Sequence, residues 1–214
     1  MAELDFTVLD VVPEPYAAAP NLLARIRIEE RSGETVHALA LRCQVRIEPQ
    51  RRRYSEAEER GLLDLFGGRE RFAQTLRPFL WLHASTVVQG FTGSVDVDLV
   101  LPCTYDIEVS GAKYLAGVRD GEVPLLFLYN GTVFTRGASG FTVSQIPWDR
   151  ESSYRLPVQV WRDLMDAHFP NAGWVRMRRD TMEALAEYKA ARGLTSWDET
   201  VETLLAGAGD QVAR

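Results

Sequence analysis

The chain has 214 residues, 46% hydrophobic and 25% charged, a globular composition with enough length for a full core and for one domain or two small ones. Its formal net charge of -6 opposes the positive field that general binding to nucleic acid or an anionic membrane requires. The start, Met1-Ala2-Glu3-Leu4-Asp5, carries acid where a secretion signal carries base, no apolar run approaches ~18 residues, and two cysteines make no disulfide framework, so a reduced cytoplasmic protein is expected.

In chain order, residues 4–12 predict a first strand, closed by Pro13 and Pro15. Residues 21–30 and 34–48 read as two arms of a hairpin around Arg31-Ser32-Gly33. In the second arm His37, Leu39, Leu41, Cys43, Val45 and Ile47 share the expected buried face, with Arg42, Gln44 and Arg46 on the other. Ser55 with Glu58 forms a capping box that predicts a helix over 56–66, stopped at Gly67-Gly68, and a short helix follows around 69–76. Strands are expected over 79–89 and 93–101, and a helix over 108–118. Residues 123–129 are apolar on both faces and predict a central strand. Asn130-Gly131 gives the strongest hairpin signal, with a return arm over 132–135, and a further strand covers 141–146.

Near residue 150 the apolar period changes from strand-like to helical. Pro157 suits the first turn of a helix reaching Phe169, where Trp161, Leu164, Met165 and His168 recur at helical spacing. The end of the chain predicts a brief strand over 174–178, a helix opened by Asp180 and Glu183 and ended at Gly193, and a last helix opened by Ser196 and Glu199 and ended near Gly207.

Arginine dominates the candidate binding chemistry. Arg25 and Arg27 share a face of one arm, Arg42 and Arg46 a face of the next, and Arg51, Arg52 and Arg53 continue beyond. Aligned by register, they would form a basic patch for an acidic partner or an anion, because guanidinium forks match carboxylates and phosphates. The competing reading is a solvated sheet face whose arginines pair across strands with Asp96 and Asp98. Those two aspartates lie roughly 6.6 Å apart along a strand, near the carboxyl spacing of inverting glycosidases, but any Asp-x-Asp strand produces this distance. His37, His83, His168, Cys43 and Cys103 lack the short spacings of a zinc site, and His37 and Cys43 on one strand stand roughly 20 Å apart. No catalytic residue, metal site or cofactor is assigned.

Residues 174–206 resemble the ribbon–helix–helix DNA-binding family, with Trp174, Arg176 and Arg178 facing outward from the strand and Val175 and Met177 inward. From 174 to 214, however, six basic residues face seven acidic ones, a balance that does not attract phosphates. Leu101-Pro102-Cys103-Thr104-Tyr105-Asp106, Gly121-Glu122-Val123-Pro124-Leu125-Leu126-Phe127, Tyr154-Arg155-Leu156-Pro157-Val158 and Arg46-Ile47-Glu48-Pro49-Gln50-Arg51-Arg52-Arg53 resemble a bacterial family of unknown function whose genes often stand beside those of nickel–iron hydrogenases. The resemblance implies a cytoplasmic accessory role in hydrogenase assembly or operation and carries over no catalytic residue.

The expectation is therefore an α+β fold: a mainly antiparallel sheet or sandwich over 1–148, with helices inserted at 56–76 and 108–118, and a mainly helical part over 149–214. The leading function is a non-enzymatic binding or accessory protein with an unidentified protein partner. An enzyme whose site assembles from distant residues such as Cys103 and His83, and a dimeric DNA binder using 174–206, are the alternatives. A homodimer stays open.

Overall fold

In the computed structural model, residues 2–104, 109–137, 140–170, 172 and 175–212 are described. The chain divides into two compact units, Met1–Trp174 and Val175–Arg214.

The first unit is α+β and antiparallel throughout. Strands β1 (Leu4–Pro13), β2 (Asn21–Glu30) and β5 (Ser94–Pro102) form a three-stranded sheet in the order β1-β2-β5. Strands β3 (Thr35–Ile47), β4 (Phe79–Thr92), β6 (Glu122–Gly137), β7 (Gly140–Gln145) and β8 (Glu151–Pro157) form the second sheet, ordered β4-β3-β6-β7, with β8 also on β6. The inward residues of both sheets meet in one core, where the Phe6 and Tyr129 rings stack at 4.2 Å. Alternation makes this possible: Leu39, Leu41, Cys43, Val45 and Ile47 are buried, while Arg42 is exposed and Gln44 and Arg46 are half-buried.

The predicted hairpin around Arg31-Ser32-Gly33 does not form. β2 pairs with β1 and β5, and β3 with β4 and β6, so the link carries the chain from one sheet to the other. Glu30 shapes that crossing. Its buried carboxylate accepts hydrogen bonds from the backbone N–H of Glu3 and from the N–H and hydroxyl of Ser32. His37 also departs from expectation. The register slips between Val36 and Ala38, so Val36 is buried in place of His37, whose ring lies exposed, edge-on to Phe141 at 5.3 Å.

Asn130-Gly131 is not a turn either. β6 runs through it, pairing with β3 from Ile47↔Leu125 to Val36↔Thr135. Gly131 has φ +150°, far from the φ of a type I′ turn. It marks the point where the partner on the far side of β6 changes, from β8 (Leu128↔Glu151) to β7 (Thr132↔Gln145). Tyr129 N–H donates to Arg150 O and Ile146 N–H to Gly131 O, so the chain joining β7 to β8 is fastened along this edge. β8 carries too weak an apolar signal to be predicted: in Glu151-Ser-Ser-Tyr-Arg-Leu-Pro157 the alternating inward residues are Ser152, Tyr154 and Leu156, and only Leu156 is fully buried.

Helices α1 (Glu56–Gly61), α2 (Leu63–Phe66) and α3 (Phe72–Thr75) fill the predicted 56–76 insertion, α4 (Ser110–Gly117) the second, and α5 (Val158–His168) packs on β1 and β8 within this unit. The Ser55–Glu58 capping box is complete in both directions. The second unit holds α6 (Arg179–Ala191) and α7 (Trp197–Val212). α6 starts at Arg179 without a side-chain cap, placing Asp180 in its first turn, where the carboxylate faces the positive end of the helix. α7 continues through Gly207 to Val212. Val175–Arg178 is not a strand and is exposed at every residue; Trp174 lies outside the described residues. The strand that a ribbon–helix–helix unit needs is therefore absent from the described part of 174–178.

Candidate functional site

The seven candidate arginines lie in three places, separated because β2 and β3 belong to different sheets. Arg25 and Arg27 point outward from the three-stranded sheet, directly opposite Asp98 and Asp96. Arg27 Nε and Nη2 donate to the two oxygens of Asp96, both at 2.8 Å, and Arg25 Nε donates to Asp98 at 3.2 Å. The Arg27 fork holds the Asp96 carboxyl below the usual range. This is the cross-strand pairing considered as the competing reading, and it leaves no uncompensated charge at either site. It also binds the two aspartates that had the spacing of a glycosidase pair.

Arg51 ends a 3-10 turn at Pro49–Arg51, and Arg52 and Arg53 follow it. Arg51 pairs with the buried Glu48 at 3.1 Å. Arg52 is structural: its side chain is 7% exposed, Glu58 is 2% exposed, and Nη2 meets Glu58 Oε1 at 2.6 Å. Glu58 also accepts from Ser55 N–H and Arg119 N–H, so one carboxylate joins the segment at 52–58 to residue 119. Burial raises the Glu58 carboxyl, but those two donors, Arg52 and the Ser55 hydroxyl outweigh it and hold the group below its ordinary value. Nearby, the Tyr54 hydroxyl donates to Pro49 O and meets the Tyr114 hydroxyl at 2.8 Å, and burial raises both phenols, Tyr114 to about 12. Arg53 is exposed and borders a separate depression with Tyr54, Phe72, Arg69 and Leu76.

Arg42 and Arg46 occupy the outer face of the five-stranded sheet. Arg46 makes a long contact to Gln44 Oε1 at 3.5 Å, and no ion pair to either arginine is found among the described residues. Register places His83 beside Gln44, Ser85 beside Arg42, and Asn130 on the other side of Arg42. Together with Cys43 and Ala84 they line an open depression of about 380 Å³. Next to it Ala40 pairs with Val87, which is 74% exposed. The arrangement offers a guanidinium fork, two amides and a hydroxyl to an incoming oxyanion, beside an apolar rim. Arg42 was legible as a candidate. Gln44, His83, Ser85 and Asn130 were not read as a site, because strand register brings them together.

The rival chemistry finds its groups apart or inactive. The depression containing His83 is lined by neither Cys103 nor a carboxylate. Burial pushes the Cys43 and Cys103 thiols up to about 12, which removes the thiolate at neutral pH. His168 places Nδ1 3.0 Å from Leu164 O and Nε2 3.2 Å from Ala17 O, at the edge of the core. Among the described residues no group of three or more His, Cys, Asp or Glu side chains could hold a metal ion, and no helix is long and apolar enough to cross a membrane.

A family model described as a family of unknown function, DUF6084, matches residues 1–213. The chain belongs to this family. No curated protein matches the DUF6084 chain. Among solved structures it is similar to a putative late embryogenesis abundant protein (12% identity, 72% of each chain covered, TM-score 0.34). It is also similar to a β-glucosidase from Kluyveromyces marxianus (8% identity, TM-score 0.27) and to β-glucosidase 3B from Thermotoga neapolitana (12% identity, TM-score 0.27). Each glucosidase comparison covers 72% of this chain, which spans 15% and 17% of the respective enzyme chains. At these scores none of the three bears on activity.

Proposed function

We propose that this DUF6084 protein is a non-enzymatic binding or accessory protein that docks an acidic segment of a protein partner on the outer face of its five-stranded sheet, at Arg42 and Arg46. One contrast carries the reading. Arg25 and Arg27 are neutralised by Asp98 and Asp96, whereas Arg42 lines a polar depression with no acid in its lining. An arginine amid neutral donors and beside an exposed Val87 suits a carboxylate-bearing chain with some apolar character. The resemblance to a family encoded beside nickel–iron hydrogenases supports a cytoplasmic role in the assembly or operation of such an enzyme.

Affinity capture from the native cell, followed by identification of what is retained, tests this reading. A hydrogenase subunit or assembly protein with an acidic segment is the expected catch. Retention of a basic partner alone would contradict the docking chemistry, and an acidic partner unrelated to hydrogenase would contradict the pathway while leaving the surface intact.

A further inference from the structure

The far edge of β6 is covered by two strands in succession, and they differ in a way that bears on assembly. β8 carries Glu151, Arg155 and Pro157, the charges and proline that discourage a sheet edge from pairing further. β7, Gly140-Phe-Thr-Val-Ser-Gln145, has no charge and no proline, and among the described residues it pairs only with β6. Phe141 is 71% exposed and Val143 57% exposed, both on the outer side of the sheet, since they pair with Arg136 and Phe134. An uncharged edge strand with exposed apolar side chains is a template for an added strand.

We infer that β7 pairs antiparallel with β7 of a second copy of this chain, with Thr142 on the two-fold axis. That register sets Phe141 opposite Val143 of the partner copy, and the reverse, closing four exposed apolar side chains into one cluster on the outer face. The strand's neutrality favours its own copy, because a charged residue on it would meet a like charge across the axis in at least one register. β8 bounds the contact, so two copies close the edge. The axis stands perpendicular to the sheet, and both outer faces look the same way, presenting two Arg42 depressions side by side. The contact is short, so the dimer is weak and concentration-dependent.

Sedimentation over a wide concentration range tests this without any partner. The wild type should shift reversibly from monomer to dimer, and Val143→Lys, which puts a charge into the facing cluster, should raise the dissociation constant at least tenfold with an unchanged circular dichroism spectrum. Thr142→Cys should form a disulfide-linked dimer under mild oxidation, since facing residues of antiparallel strands stand about 4.5–5.5 Å apart, within disulfide reach. Wild type carried through the same oxidation is the control for Cys103. A monomer at every concentration overturns the proposal. So does a dimer that survives Val143→Lys, or an open polymer, which would signal pairing of β7 with the opposite edge strand β4.

Discussion

Gly131 lies against the Ala40 carbonyl so closely that a Cβ at 131 would overlap that oxygen, and its φ of +150° is one that L side chains rarely adopt. Space and dihedral therefore both demand glycine where β6 exchanges β8 for β7. Gly131→Ala is expected to cost about 2–6 kcal/mol, overpacking and backbone strain each adding roughly 1–3. Gly93→Ala is the comparison: φ is +73° but the added methyl meets nothing, so only the dihedral cost remains, about 1–2 kcal/mol. Urea midpoints of the two variants separate these contributions; equal losses would show that the Ala40 contact is relieved by a small shift.

Arg52 and Glu58 form a pair shielded from solvent on both sides. Removing one partner leaves a buried charge, so Arg52→Ala is expected to lose about 3–5 kcal/mol of stability by chemical denaturation. A loss below about 1 kcal/mol would mean that water reaches the Glu58 carboxylate once the guanidinium is gone.

Glu58 and Glu30 make acid sensitivity a local property. Burial raises the Glu30 carboxyl, but the Ser32 hydroxyl and the N–H groups of Glu3, Ser32 and Gly33 outweigh it, so both groups titrate below their ordinary value of 4.5 in the folded chain. Such groups add stability above the unfolded value, and that stability is lost as pH falls through the folded values. Denaturation midpoints should be level above about pH 5.5 and fall below about pH 4.5. The Glu30→Gln, Glu58→Gln double variant should show a flatter fall. An unchanged slope would assign the acid transition to other carboxylates.

Both thiols should resist modification. With Cys43 and Cys103 raised to about 12 by burial, a disulfide reagent at pH 8 should titrate them slowly in the native protein and both promptly in denaturant. A prompt native thiol would identify a strand end that opens readily, and Cys103, only half-buried, is where it would show.

Much of the fold was written in local patterns. Alternation located β1 to β5, a run apolar on both faces located the first half of β6, and Ser55 with Glu58 located the first helix, because side-chain period and cap chemistry are short-range. Partnership between strands is not local. Residues 21–48 show two alternating runs joined by Arg31-Ser32-Gly33, yet nothing in the runs says that Glu30 caps a crossing between sheets. Asn130-Gly131 fits a hairpin turn as a dipeptide, but tertiary packing against Ala40 uses the glycine for close approach instead. The same limit applied to the candidate site. Asp96 and Asp98 stood out as possible cross-strand partners of the arginines, and register then assigned them to Arg27 and Arg25, whereas the neighbours of Arg42 came from β4 and β6, at 83–85 and 130, and appeared only with the register.

The most direct test sets two double charge reversals side by side in quantitative capture from native extract, at low and at raised salt. Arg42→Glu with Arg46→Glu is expected to reduce the acidic partner roughly tenfold or more, and Arg25→Glu with Arg27→Glu to leave it near the wild-type level, with wild-type capture weakening as salt rises. Equal capture by the two variants, or loss with the second and not the first, would contradict docking at the outer face of the five-stranded sheet.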